Sequence, residues 1–159
     1  KGREWPYKNV QKKIMAEKYM EDGSESGVLK DYKVMCFNGE PRLIEMHDGR
    51  FTDNHIQVFY DTKWNKTKIN NMCYDNKIQY SNKICQFDKP ELLDTMLLLS
   101  EKLAKNIPHI RVDWYIVKGR LYFGELTFFD GSGYEPFADE NDDLLLGSWI
   151  KLPEKHKYN

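Results

Sequence analysis

Two strand-like runs flank Lys118-Gly119-Arg120 in the segment HIRVDWYIVKGRLYFGELTFFDGSG, residues 109–133, and no other segment limits the possible folds as strongly. β-branched and aromatic residues dominate both runs, and Gly119 supplies the backbone freedom that a tight turn needs. The pattern therefore predicts an antiparallel hairpin. Each arm also carries one acid in its middle, Asp113 and Glu125, so the hairpin places two carboxylates within a sheet.

The length of the turn decides whether these two carboxylates share a face of the sheet. An even number of loop residues sends Asp113 and Glu125 to opposite faces, and an odd number sends them to the same face. An odd loop, for example three residues with Gly119 in a left-handed bulge, also joins the apolar faces Val112-Trp114-Ile116 and Tyr122-Leu126-Phe128. We therefore predict an odd turn and one polar patch, formed by Arg111, Asp113, Glu125 and Thr127.

The rest of the chain predicts an α+β fold with an antiparallel sheet and flanking helices. Strands are expected at residues 12–20, 29–37, 40–48 and 55–61, followed by a long loop over 62–87. Asn38-Gly39 is a strong hairpin-turn signal because both residues tolerate positive φ.

Two helices are expected after the loop. The first spans residues 88–107, with Asp88 as its cap and Pro108 as its end. Its predicted buried face is Leu92, Leu93, Met96, Leu99 and Leu103. The second is short, near residues 140–149, and its acidic start suits the helix dipole.

The overall composition excludes several classes of protein. The net charge of −1 provides no bulk attraction to nucleic acid or to an anionic membrane. No apolar run approaches the roughly 20 residues that span a bilayer. The cysteines Cys36, Cys73 and Cys85 are odd in number and lack close spacing. A disulfide framework or a structural zinc site is therefore not expected, and a cytoplasmic location is.

Two carboxylates on one face repel each other unless something neutralises them. Arg111 supplies one positive charge, and a divalent cation with oxygen ligands, Mg²⁺ above all, would supply more. The alternative is a solvent-facing sheet surface with an ion pair. Gly131-Ser132-Gly133 follows the second arm, and its small residues let backbone N–H groups approach an anion, although an ordinary turn has the same composition.

Seven motifs follow one another along the chain: GREWPYKN, IMAEKYMED, DYKVMCFNGEP, VFYD, RVDWY, YFGELTF and LGSWIKLP. This ordered set, between Gly2 and Pro153, resembles the TupA-like ATP-grasp family of polysaccharide and teichuronopeptide biosynthesis, whose members are often labelled glycosyltransferases. The resemblance implies the C-terminal lobe of an ATP-grasp fold, with ATP and Mg²⁺ as cofactors. It also implies ATP-dependent joining of a carboxylate to an amine.

The resemblance assigns a role to individual residues. Asp113 and Glu125 match the two metal-binding acids, and Thr127 stands where many ATP-grasp enzymes have a metal-binding Asn. Arg111 matches the residue that steadies an oxyanion or a phosphate. The implied adenine contacts are Glu17, Lys18, Tyr19 and Met20, in a stretch that resembles the hinge strand. The remaining implied nucleotide contacts are Asp31 for the ribose, Lys63 for a phosphate, and Gly131 with Ser132 for an anion.

The resemblance also bears on the organisation of the protein. Residues 1–159 correspond to a single partial domain, the C-terminal portion of an ATP-grasp domain whose N-terminal lobe is absent from this chain. The implied partners are a nucleotide and a sugar or amino-acid carboxylate, and a homo-oligomer is an open possibility. Two other functions stay open: a sugar-nucleotide glycosyltransferase in the synthesis of capsular or other surface polysaccharide, and a non-catalytic binding module.

Overall fold

The structure is a computed structural model that describes residues 5–21, 27–71, 79–80 and 86–154. Within these residues, the centre is a six-stranded sheet in the order β4-β3-β2-β1-β5-β6. The strands are β1 Asp31–Phe37, β2 Glu40–Asp48, β3 Ile56–Asp61, β4 Gln79–Tyr80, β5 His109–Val117 and β6 Arg120–Thr127. The α-helices are α1 Leu93–Ala104 and α2 Glu140–Ser148, and short 3-10 helices lie at Trp5–Tyr7 and Asp130–Gly133.

Neighbouring strands of this sheet are antiparallel, apart from the two-residue β4, which pairs in parallel with β3. The predicted α+β fold with an antiparallel sheet and flanking helices is thereby confirmed. Asn38 and Gly39 form the predicted turn between β1 and β2, and both have positive φ.

The sequence of β1 builds two different sheet faces, because side chains alternate along a strand. On the first face, Tyr32, Val34 and Cys36 are buried in the core that includes Leu93 and Met96 of α1. On the second face, Met35 and Phe37 pack in a separate core with Leu146 of α2. Asp31 and Lys33 share this second face by alternation. The second face is therefore apolar at one end and polar at the other.

Helix α1 is shorter than predicted, and the face that it buries differs from the predicted face. It begins at Leu93 without a side-chain cap, so the predicted cap at Asp88 is wrong, and it ends at Ala104. Its buried residues are Leu93, Met96, Ser100 and Ala104, whereas Leu103 is exposed. The small residues Ser100 and Ala104 let the helix approach the sheet, and Ser100 Oγ accepts a hydrogen bond from Trp114 Nε1 at 2.8 Å.

The β5–β6 hairpin has the predicted pairing but not the predicted turn. Val117 pairs with Arg120, so the loop holds only Lys118 and Gly119, both with positive φ, which is an even number. The register then shifts between Asp113 and Trp114, and Gly124 is the extra residue on β6. The bulge adds one residue to β6, which has the same effect as adding one residue to the turn, so Asp113 pairs with Glu125.

The bulge also changes which residues of β6 face the first core. Trp114 pairs with Phe123 and Ile116 pairs with Leu121, whereas Tyr122 pairs with Tyr115 on the opposite face. The prediction that Tyr122 faces the apolar side of β5 is therefore wrong. It failed because it continued one alternation through Gly124, where the bulge interrupts it.

Residues 12–20 do not form the predicted strand and have no regular secondary structure. Ile14 and Met15 are exposed. The mixed pattern of this segment provides no continuous apolar face to dock on the sheet. In the part of the chain that the structure describes, no helix has the length and apolar character needed to cross a membrane.

Candidate functional site

Three cavities follow one another along the second face of the sheet. Cavity A, about 580 Å³, is bounded by residues 17–20 and by Asp31. Cavity B, about 450 Å³, is lined by Lys33, Glu45, His47 and Arg111, among others. Cavity C, about 240 Å³, lies against α2 and is lined by Met35, Phe37 and His109, among others. Alternate residues of β1 and of β5 thus contribute to each cavity in turn, because their side chains share one face.

Cavity A brings together residues that the resemblance assigned to a nucleotide. Glu17, Lys18, Tyr19 and Met20 line it together with Asp31, although an irregular segment rather than a strand carries the first four. Asp31 is 2% exposed, and its Oδ1 is buried with no hydrogen-bond partner. A buried carboxylate oxygen without a donor is costly, and a ribose hydroxyl would supply the missing donor.

An alternating chain of charges links cavity A to cavity B. Arg50 Nη1 lies 3.0 Å from Asp31 Oδ2. Lys33 Nζ lies 2.8 Å from Asp31 Oδ2 and 2.6 Å from Asp113 Oδ2. Lys33 and Asp113 are 3% and 2% exposed, respectively. Buried charges persist only when they are paired, and here each acid lies between two cations.

Arg111 continues this chain and is held from three sides. Its Nε and Nη2 bond both oxygens of Asp113, at 2.7 and 2.9 Å, in a fork geometry. Its Nη1 bonds Asp130, and its Nη2 donates to Thr127 Oγ1 at 3.2 Å. Burial lowers the pKa of Arg111, but the hydrogen bond to Asp113 and the charges of Asp130, Asp113 and Glu45 more than offset it and raise the pKa. The guanidinium is therefore a permanent, fixed positive charge at the wall of cavity B.

The acids assigned to a metal lie side by side on β5 and β6. Asp113 pairs with Glu125 and Arg111 pairs with Thr127, so the predicted polar patch exists. Cα atoms of opposed residues lie about 4.5–5.5 Å apart, which lets the two carboxylates of one face approach each other. A carboxylate has about four acceptor sites, and the buried Asp113 uses three of them, one for Lys33 and two for Arg111. The oxygen donors that remain for a cation such as Mg²⁺ are one lone pair of Asp113 Oδ1 and the exposed carboxylate of Glu125.

The described residues contain no group of three or more His, Cys, Asp or Glu side chains arranged for a metal ion. The site therefore differs from a preformed structural metal centre. A magnesium ion held by one or two carboxylates together with the phosphates of a substrate needs no such group.

Cavity B contains residues that the sequence reasoning missed. Glu45 Oε1 accepts from His47 Nε2 at 2.8 Å and from Gln57, and His47 Nδ1 lies 2.7 Å from His55 Nε2. Glu45 Oε2 is buried with no hydrogen-bond partner. Burial alone raises the pKa of Glu45. The hydrogen bond from His47 and the positive charges of His47, Arg111 and Lys33 lower the pKa by more, so the net shift is downward. The alternation of β2, which places Glu45 and His47 on one face, was the available signal.

Asp113, Glu125 and Thr127 do not themselves line the three cavities, and neither does Lys63. Lys63 follows Asp61, the last residue of β3, which pairs with Leu43 of β2. Asp31 lies near the other end of β3, because it pairs with His47, which in turn pairs with Gln57. Lys63 thus lies beyond the sheet end opposite Asp31, and its N–H donates to Asp61 Oδ1 at 2.8 Å. The structure does not place it where a phosphate in cavity B would lie.

Gly131 and Ser132 lie in the 3-10 turn beside Asp130, and both have positive φ. The N–H of Gly131 donates to Asp130 Oδ1 at 3.0 Å, and the N–H of Ser132 donates to the Phe129 carbonyl at 3.2 Å. Both groups are therefore engaged within the turn and are not directed at an anion. Gly131 is required for another reason, because a Cβ there would lie 2.5 Å from the Cβ of Glu135.

One of the three cysteines is part of the hydrophobic core. Cys36 is fully buried, and burial, followed by the charge of Glu101, raises its pKa to about 12. Cys73 and Cys85 lie outside the described residues.

Comparison with known proteins gives one match. The family model for TupA-like ATP-grasp proteins matches residues 1–151, which is most of the chain. The comparisons with curated proteins and with solved structures each returned no match.

Proposed function

The chain belongs to the TupA-like ATP-grasp family, and from this premise we propose that it binds Mg²⁺·ATP and takes part in ATP-dependent joining of a carboxylate to an amine. The observation that carries the proposal is the placement of Asp31 and residues 17–20 around cavity A, next to the cations of cavity B. Two sequence segments that the resemblance assigned separately to the adenine and the ribose meet at one cavity.

In this proposal, the adenine lies against residues 17–20 and the ribose hydroxyls donate to Asp31. The phosphates then extend along the sheet face towards Lys33 and Arg111. Arg50 lines both cavities and lies where the two parts of the nucleotide would join. Arginine is suited to this place because its planar fork binds phosphate oxygens in pairs.

The chemistry of the reaction requires charge stabilisation rather than a nucleophilic side chain. Phosphorylation of a carboxylate gives an acyl phosphate, which an amine can attack, and negative charge develops at the phosphoryl group and at the reacting carbonyl. Mg²⁺ held by Asp113 and Glu125, with Thr127 beside them, would neutralise charge on the phosphates when bound. Arg111, fixed by Asp113 and Asp130, would stabilise the charge at the carbonyl.

The biological setting is a finer proposal that rests on the sequence resemblance alone. We propose that the reaction belongs to the assembly of bacterial capsular or other surface polysaccharide, with a sugar or amino-acid carboxylate as substrate. We also propose that these residues form the C-terminal portion of an ATP-grasp domain.

The test is an assay of ATP turnover with hydroxylamine as the nucleophile, which converts an acyl phosphate to a hydroxamate. D-glucuronate and L-glutamate serve as carboxylates. We expect ADP and hydroxamate in equal amounts, and loss of both in the Asp113→Asn/Glu125→Gln double variant. Glu40→Gln is the matched control, because Glu40 is an exposed acid in an exposed pair with Arg42. Turnover that survives in the double variant overturns the proposal.

A further inference from the structure

Cavity C has walls of a different character from those of cavities A and B. It lies between the apolar end of the second sheet face and α2. Phe37, Phe128, Phe129 and Phe137 line it, together with Leu146 and Ile150. Phe37 and Phe137 are held in place by edge-on contacts with Trp149 and Phe59. A volume of about 240 Å³ admits one ring or a short aliphatic body.

The charged groups at cavity C have one sign. Asp130, Glu135 and Asp143 line it, and among the described lining residues there is no lysine or arginine. Burial raises the pKa of Glu135, and crowding with the carboxylates of Asp130 and Glu45 adds to the rise, although His47 and Arg111 oppose it. A positively charged ligand would relieve this crowding, and aromatic faces also attract cations.

His109 provides an acceptor in the same cavity. Its Nδ1 lies 3.1 Å from the carbonyl oxygen of Cys36. A carbonyl can only accept, so Nδ1 carries the proton and the neutral ring presents the lone pair of Nε2. Burial lowers the pKa of His109, although the bond to Cys36 opposes this change. The neutral ring lies against Phe37, with centroids 4.6 Å apart and the ring planes tilted by 36°, and it can accept a hydrogen bond from an N–H donor.

Cavity C also adjoins the site of the proposed reaction. Asp130 and Glu135 line both cavity B and cavity C, and Asp130 bonds Arg111. A ligand whose body fills cavity C would therefore present its charged end at the boundary with cavity B. This is the side from which a nucleophile would reach a carboxylate activated beside Arg111.

We propose that cavity C binds a primary amine with an apolar or aromatic body. Its ammonium group contacts Asp130 and Glu135 and donates to His109 Nε2, and its body packs among the phenylalanines. This assignment rests on the proposed function, because it supplies the amine that the ligation consumes. The bound ammonium passes one proton to His109 Nε2, and the freed lone pair attacks the acyl phosphate. The C–N bond forms as the C–O bond breaks, and the phosphate leaves with the second proton. The assignment goes further by naming the cavity and the chemical class of the acceptor.

The test uses two probes of matched shape, phenethylamine and 3-phenylpropionate, which differ in the charge at the end of the same chain. Each is titrated at about pH 7 into the ¹⁵N-labelled chain, and amide shifts are followed by NMR. We expect saturable shifts around Phe37, Phe137 and Gly147 with the amine, and binding of the acid that is about tenfold weaker or less. Equal affinity for the two probes, or amine shifts confined to other parts of the chain, overturns the proposal.

Two variants make the assignment specific. Asp143→Asn should weaken amine binding by about three- to fivefold, and Asp142→Asn, whose side chain does not line the cavity, should leave it unchanged. Gly147 lines the cavity one helical turn after Asp143, so the side chain in Gly147→Leu should occupy the space of the ligand and abolish binding. The variant should still fold, because a Cβ there meets no heavy atom within 4 Å and Leu favours a helix more than Gly. Amine binding that neither Asp143→Asn nor Gly147→Leu weakens contradicts the proposed site.

Mg²⁺·ATP is titrated into the same samples, so the two proposals can fail separately. Mg²⁺·ATP binding without selectivity for the amine rejects the assignment of cavity C and leaves the nucleotide site intact. Selective amine binding without Mg²⁺·ATP binding rejects the ligase function and supports cavity C as an amine site.

Discussion

Lys33 is the side chain whose removal should disturb the site most. It is 3% exposed and lies within 2.8 Å of Asp31 and 2.6 Å of Asp113. Lys33→Met keeps the length of the side chain and removes its charge. Breaking a buried ion pair by removing one partner costs about 3–5 kcal/mol, because the other charge stays buried and unpaired. Arg50 still pairs with Asp31 and Arg111 with Asp113, so we expect about 3 kcal/mol, at the lower end of this range.

The assay is urea denaturation followed by circular dichroism, with the free energy of unfolding obtained by linear extrapolation. Lys89→Met is the matched control, because Lys89 forms an exposed pair with Asp94 at 3.6 Å and such pairs contribute about 0–1 kcal/mol. Asp31→Asn combined with Lys33→Met should recover part of the loss, because it removes one of the two buried carboxylates that Lys33 neutralises. A loss below about 1 kcal/mol for Lys33→Met would refute the reasoning that the buried charges depend on Lys33.

Three further predictions concern single residues. Gly124→Ala should destabilise the chain by about 1–3 kcal/mol in the same denaturation assay, because the new Cβ would lie 2.8 Å from Tyr115 Cε2; an unchanged midpoint would contradict a tight contact between position 124 and Tyr115. Cys36, with its pKa raised to about 12, should resist iodoacetamide at about pH 8 in the native chain and react in urea, as peptide mapping would show. The pKa of Glu45 lies below its ordinary value of 4.5, so Glu45 stabilises the fold above that pH and the contribution is lost as the pH falls through the folded-state pKa. The stability difference between the wild type and Glu45→Gln should therefore shrink in acid, and a pH-independent difference would count against the charged form of Glu45.

The hairpin shows what alternation predicts and where it stops. The shared face of Asp113 and Glu125 is confirmed, since the two residues are directly paired. The predicted odd turn is wrong, and the bulge at Gly124 provides the same parity instead. A single-residue bulge and a one-residue change in turn length have equal effects on parity, so the sequence pattern does not distinguish them.

Lys33 shows a second limit. Alternation places it on one face with Asp31, but its contact with Asp113 depends on the pairing of β1 with β5, which lie 80 positions apart in sequence at these residues. Local patterns do not specify such a pairing. Residues 17–20 show the reverse case: the predicted strand is wrong, yet these residues line the cavity beside Asp31.

The nucleotide site is tested by calorimetric titration of Mg²⁺·ATP into the wild-type chain, into Asp31→Asn and into Asp113→Asn/Glu125→Gln, with UDP-glucose as the competing ligand class. We expect saturable binding of ATP that requires Mg²⁺ and is at least about tenfold weaker in both variants, with no heat from UDP-glucose. ATP affinity that is unchanged in both variants, or binding of UDP-glucose without ATP, would contradict the nucleotide site described for cavities A and B.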